Sequence, residues 1–105
     1  MTAVTFFTDE KALGFCVRGH SSKCCDDSEG KLVCAAVSSA VYMAANTLTD
    51  VVGQACDIAV DDAAFTLRFQ GAVKPESKMV LDGLKLHLTQ LSEQYSKRIH
   101  INTEV

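Results

Sequence analysis

The chain has 105 residues, of which 48% are hydrophobic and 22% are charged. These values are typical of one compact domain over residues 1–105, small enough for association with a second copy to add useful buried surface. The net charge of −3 and the scattered basic residues argue against nucleic acid as a direct partner. Because we find no apolar run of about 18 residues and no secretion signal, we expect no membrane partner and a cytoplasmic location.

The first half of the chain predicts a β-hairpin followed by a long helix. Apolar residues alternate over residues 2–7 and 13–17, and the polar residues 8–11 between them form the expected turn. Residues 33–52 then keep helical spacing and end at Gly53, which is typical of a helix C-terminus.

The second half repeats this order and adds a strand. A second hairpin, a connection with the only proline, an amphipathic helix and a last strand are predicted at residues 56–69, 71–76, 81–95 and 99–103. The order ββαββαβ therefore predicts an α+β fold of two layers. In it, a largely antiparallel sheet is covered on one face by two helices.

The predicted loop over residues 19–30 carries the sequence GHSSKCCDDSEG and is the longest irregular stretch of the chain. Loops of this length inside a compact domain are often functional. His20 lies near its start, at the end of the second strand, and Cys34 lies just after it on the long helix. This pair is the strongest candidate for chemistry in the sequence.

We interpret Cys34 as a nucleophile in the first turn of the helix. There the helix dipole favours the thiolate, and unpaired amides could hold an oxyanion. His20 would take the thiol proton, and Gly19 would let the backbone bend before it. Ser38, one turn after Cys34, could hydrogen-bond to the site or simply allow close packing. A simpler interpretation makes Cys34 a small core residue and His20 a solvated side chain.

The other cysteines leave further alternatives open. Cys24 and Cys25 could act as soft metal ligands or form a redox bond with Cys34. Adjacent cysteines do not make the usual CxxC knuckle, so we predict neither a metal site nor a cofactor. The odd count of five cysteines fits free thiols in a reducing compartment. Cys16 and Cys56 lie on predicted strands and are interpreted as structural.

An acidic stretch precedes the long helix and contains Asp26, Asp27 and Glu29. Its preferred interpretation is a helix N-terminus, with Asp27 or Ser28 as the cap and the carboxylates favourably placed at the positive end of the helix dipole. The alternative interpretation is functional: a carboxylate that orients His20, or a surface that attracts a basic peptide.

The motif Gly19-His20, a loop, and then residues 32–38 (LVCAAVS) at the start of a long helix resembles the ribosomal-processing cysteine protease family, Prp. The resemblance also covers the ββαββαβ order and the ending EQYSKRIHI at residues 93–101. It implies a small homodimeric endopeptidase without a cofactor. Such an enzyme removes the N-terminal extension of the ribosomal large-subunit protein number twenty-seven by cleaving after an aromatic residue.

The resemblance also implies residue roles. His20 matches the general base and Cys34 the nucleophile, and we assign Gly19, Ser21 and Ser38 to substrate binding. The family usually has alanine at the position of Ser21 and aspartate three residues before the cysteine, where this chain has Lys31. These two differences bear on how the loop closes and on which peptide it prefers.

Two other function classes compete with the peptidase. The first is a non-catalytic ribosome-associated module that binds a peptide or assists assembly, for which Cys34 needs no special reactivity. The second is a thiol or metal sensor that uses Cys24, Cys25 and Cys34. The rate at which an alkylating probe labels Cys34 separates the enzyme from the binding module, and bound zinc or an intramolecular disulfide would indicate the sensor.

Overall fold

The computed structural model describes residues 1–19 and 27–104. Its elements are, in chain order, β1 (Thr2–Phe7), β2 (Gly14–Arg18), α1 (Ser28–Asn46), β3 (Cys56–Val60), β4 (Ala64–Phe69), α2 (Pro75–Gln94) and β5 (Ile99–Glu104). After α1, the segment Thr47–Val52 continues as π-helix. The predicted order and the predicted α+β class are confirmed.

The described strands form one five-stranded sheet in the order β3-β4-β2-β1-β5. Three of the four neighbouring pairs are antiparallel, namely β3 with β4, β4 with β2, and β2 with β1. The last strand, β5, is parallel to β1 because the chain crosses over through α2 before it returns to the sheet edge. The sheet is therefore largely antiparallel, as predicted.

The core lies between one face of the sheet and the two helices. The sheet contributes alternate residues, which are Val4, Phe6, Phe15, Leu67, Phe69 and Ile99. The helices contribute one stripe each, which comprises Val33, Val37, Val41, Ala44, Leu81, Leu84 and Leu88. The outer face is uncovered by helices, yet Cys16 is buried there, where the Thr66 hydroxyl donates to its sulfur at 3.3 Å. Cys16 thus has the structural role predicted for it.

Both helices begin earlier than the hydrophobic spacing predicts. The first begins at Ser28, because the Asp27 carboxylate accepts the Gly30 amide at 3.0 Å as an N-cap. The second begins at Pro75, since proline is favoured in the first turn of a helix, so Pro75 and Glu76 belong to α2 and not to the predicted connection. The predicted end at Gly53 is correct: its φ is 76° and its amide donates to the Leu48 carbonyl.

Judged by length and hydropathy alone, the continuous helix Ser28–Val52 is apolar enough to span a membrane, and it is the one such helix among the described residues. Its apolar residues do not form one uninterrupted run, because serine, threonine and asparagine side chains divide the sequence. One side of this helix packs in the core against the sheet, and core helices of globular domains meet the same criterion.

A buried glutamine joins the end of the first helix to the start of the second. The side chain of Gln54, which is 4% exposed, accepts hydrogen bonds from the Lys74 amide at 3.0 Å and from the Ser77 hydroxyl at 2.6 Å. Its amide nitrogen donates to the Ala72 carbonyl at 3.1 Å. Gln54 thereby caps α2, whose N-cap residue Lys74 supplies no side-chain hydrogen bond of its own.

Candidate functional site

Cys34 lies on α1, half-buried, directly after the fully buried Val33. Each helical residue turns the side-chain direction by about 100°, so Cys34 and Ser38 share one flank of α1. Ala36 and Ala40 lie on the opposite flank, which faces α2. The structure therefore places Cys34 and the exposed Ser38 together, on the side of α1 that points away from α2.

The prediction that Cys34 occupies the first helical turn is wrong. Because the helix begins at Ser28, Cys34 is its seventh residue and lies roughly 9 Å along the axis from the first. In a regular helix the amide at this position donates to the carbonyl four residues earlier, and the dipole effect declines within the first turn. Neither free amides nor the helix dipole can thus be the main source of Cys34 reactivity.

An arginine that sequence reasoning missed holds the start of α1. Arg98, just before β5, donates to both oxygens of Asp27 at 2.6 and 2.9 Å and to the Glu29 carboxylate at 2.9 Å. These hydrogen bonds, with that to Asp27 the larger effect, raise the pKa of the Arg98 guanidinium above its ordinary value. The preferred interpretation of the acidic stretch as a capped helix start is confirmed, with Asp27 as the cap.

We expect Asp27→Ala to lower the free energy of unfolding by about 1–2 kcal/mol, because it removes the N-cap hydrogen bond and the bidentate partner of Arg98. The Asp27 side chain is only 13% exposed, so water replaces these bonds poorly. Urea denaturation measures the change. The matched control is Asp27→Asn, which keeps a good cap and loses the charge, and should cost less. An equal loss in both variants would show that capping contributes nothing.

Of the remaining predicted site residues, only the first belongs to the described part of the chain, which stops at residue 19 and resumes at residue 27. Gly19 directly follows β2 with a φ of 80°, and a Cβ there would lie 2.5 Å from the Met1 carbonyl oxygen, so this position requires glycine. His20 and Ser21 lie outside the described residues, and the distance from His20 to Cys34 stays a prediction. Cys24 and Cys25, the candidate redox and metal ligands, lie outside them as well.

In the described ranges, no group of three or more histidine, cysteine, aspartate or glutamate side chains is placed to hold a metal ion. Cys56 packs against the core, and burial raises the pKa of its thiol. It therefore carries less thiolate at neutral pH than an exposed cysteine does, in line with the structural role predicted for it.

A groove between the two helices does not contain the candidate nucleophile. It has a volume of about 640 Å³ and runs between α1 and α2, where Ala36, Ala40, Gly83 and Leu84 line it. Groove and thiol lie on opposite flanks of α1. The apolar character of the groove suits association with another apolar surface, and it offers no partner for the chemistry of Cys34.

Residues 1–100 match the sequence model of the family described as cysteine protease Prp. The chain belongs to this family. It is therefore a cysteine protease of the Prp family, which confirms the predicted enzyme class. Among curated proteins, no significant match to the chain is found.

Solved structures agree with the Prp fold. The ribosomal processing protease Prp from S. aureus with a covalently linked product peptide has 20% identity and a TM-score of 0.83, with 99% of this chain and 100% of that chain covered. The same protease with a substrate peptide has 18% identity, 99% and 100% coverage and a TM-score of 0.85. SMU.848 from Streptococcus mutans has 18% identity, 99% and 94% coverage and a TM-score of 0.82.

Proposed function

We propose that this Prp-family protease removes the N-terminal extension of the ribosomal large-subunit protein number twenty-seven, with Cys34 as nucleophile and His20 as general base. The observation that carries the proposal is the family match over residues 1–100. That match spans the motif Gly19-His20 and the α1 residue Cys34. The structures of S. aureus Prp with a substrate peptide and with a linked product peptide support a peptide as the substrate class.

The proposed reaction is acyl transfer followed by hydrolysis. His20 accepts the thiol proton of Cys34, and the thiolate attacks the scissile carbonyl. The tetrahedral intermediate collapses with transfer of that proton to the leaving amine, which departs as the new N-terminus. Water, deprotonated by His20, then attacks the thioester and releases the carboxylate product and the free thiol. Gly19, Ser21 and Ser38 contact the peptide near these two side chains.

The test is cleavage of the precursor by the purified protein. The precursor of the ribosomal protein from the same organism is incubated with the enzyme, and intact mass and N-terminal sequence of the product are determined. We expect one cut that removes the extension after an aromatic residue. A precursor that stays intact beside a folded protein, as judged by circular dichroism, contradicts the proposal.

We further propose that the enzyme works as a homodimer in the cytosol. Large apolar side chains on the helices support association with a second copy, because Leu32, Tyr42, Met43 and Leu86 are each more than half exposed. A reducing compartment would keep the Cys34 thiol in its active form. Sedimentation should give about twice the chain mass of 11.3 kDa. Cell fractionation tests the location, and a monomer across micromolar concentrations argues against the dimer.

A further inference from the structure

The helices leave part of the inner sheet face open. On β3, Ile58 is 42% exposed and Val60 is 70% exposed, although both side chains point to the same face as the core. The half-buried Phe65 lies beside Val60, and the half-buried Val17 lies beside Phe65. These four residues form an apolar surface, which we call the β3 shelf.

The β3 shelf lies next to the candidate site. Val17 is on β2 and precedes Gly19, the residue before His20, by two positions. The second helix runs through a short connection into β5 and contacts that strand, so α2 covers the β5 side of the sheet. Because Cys34 lies on the flank of α1 away from α2, it faces the β3 side. The shelf and Cys34 therefore lie on the same side of α1.

The edge of β3 is open along the shelf. The Asp61 amide donates to the Ala64 carbonyl at 3.0 Å and the Gln70 amide donates to the Ala55 carbonyl at 2.8 Å. Antiparallel pairs alternate between hydrogen-bonded and non-hydrogen-bonded residues. The backbone groups of Ile58 and Val60 must consequently point away from β4, where no strand among the described residues pairs with them.

We propose that an extended segment of the peptide substrate adds to the edge of β3 and places an apolar side chain on the β3 shelf. This inference rests on the proposed peptidase function and names how its substrate is recognised. Strand addition selects for an extended chain through main-chain hydrogen bonds, and the shelf selects for apolar side chains. Asp57, Asp61 and Asp62, on β3 and in the following turn, favour basic residues elsewhere in the segment.

Recognition on the β3 shelf has a kinetic consequence. The shelf contacts a part of the substrate that does not react, so it contributes mainly to binding and to orientation. A lysine on the shelf should raise KM by at least about tenfold, the effect of losing one good apolar contact. The rate at which iodoacetamide labels Cys34 should stay unchanged, since the thiol itself is unaltered.

The experiment measures peptide binding without turnover. A fluorescent peptide of the precursor N-terminus is titrated against Cys34→Ala protein, alone and combined with Ile58→Pro or Val60→Lys. Proline at residue 58 removes an amide that faces the open edge, so the ladder to β4 stays intact. Val51→Lys is the matched control, because Val51 is 80% exposed and lies on the π-helical segment, outside the β3 shelf.

We expect binding to weaken about tenfold or more in both β3 variants and to be unchanged in the control. Equal binding by all forms overturns the inference. Sedimentation of the same variants tests whether a second copy of the chain occupies the edge of β3. If Ile58→Pro separates a dimer while peptide binding persists, the edge pairs with a second copy and the inference is wrong. Normal binding to wild type without any cleavage would count against the proposed function alone.

Discussion

Replacement of Cys34 by alanine is expected to abolish cleavage of the precursor, with a loss of about four orders of magnitude or more in kcat. In the proposed mechanism Cys34 forms the thioester, so the remaining activity of the alanine variant is that of positioning alone. The fold should persist, because alanine suits a helix and Cys34 is only half-buried. Single-turnover assays with excess enzyme, monitored by mass spectrometry, measure the loss.

The control for this variant is Cys16→Ala, a cysteine buried on the outer face of the sheet, on the side without helices. It should keep nearly full activity. Cys56 serves as an internal reference for labelling, since burial raises the pKa of its thiol and slows its alkylation. Undiminished cleavage by Cys34→Ala would remove this residue from the mechanism and leave the non-catalytic binding module as the better hypothesis.

The position of Cys34 within α1 also separates two sources of its reactivity. If His20 supplies the activation, His20→Ala should slow Cys34 alkylation at neutral pH to the rate of a thiol without a base beside it. If the helix N-terminus supplied it, labelling would remain fast without the histidine. The seventh position in the helix favours the first outcome, because the dipole acts mainly within one turn.

Periodicity predicted the elements well because each strand and helix has one buried face. The alternation of Phe65, Leu67 and Phe69 and the spacing of Leu81, Leu84 and Leu88 both follow from packing against a single core. The helix starts were predicted less well. Residues 28–32 carry little apolar pattern, and their helical conformation depends on the Asp27 cap. Pro75 has the same effect at the start of α2, and hydrophobic spacing detects neither of these local signals.

The candidate site was predictable only in part. The local motif proposes Cys34 and His20 as candidates, but the contact of Arg98 with Asp27 joins residues that are 71 positions apart. No spacing rule predicts which arginine reaches that carboxylate. The same holds for the β3 shelf: Ile58 and Val60 carry the alternation of a buried strand, yet they are exposed because neither helix extends over them.

The buried Gln54 network carries the largest expected effect on stability. We expect Gln54→Ala to lower the free energy of unfolding by about 2–4 kcal/mol, since it leaves the Lys74 amide and the Ser77 hydroxyl without their acceptor. Ser77 is fully buried, so water cannot readily replace the lost bond. Urea denaturation followed by circular dichroism measures the change as a lower midpoint at constant slope.

Gln70→Ala is the matched control, because it removes the same type of side chain from an exposed position. Gln70 accepts a hydrogen bond from Gln54 through its backbone carbonyl, which the substitution keeps. It should change stability by less than about 0.5 kcal/mol. The double variant Gln54→Ala/Ser77→Ala should cost less than the sum of its single variants, since it removes both members of one hydrogen bond. Strict additivity would mean that the hydrogen bond between Gln54 and Ser77 contributes nothing to stability.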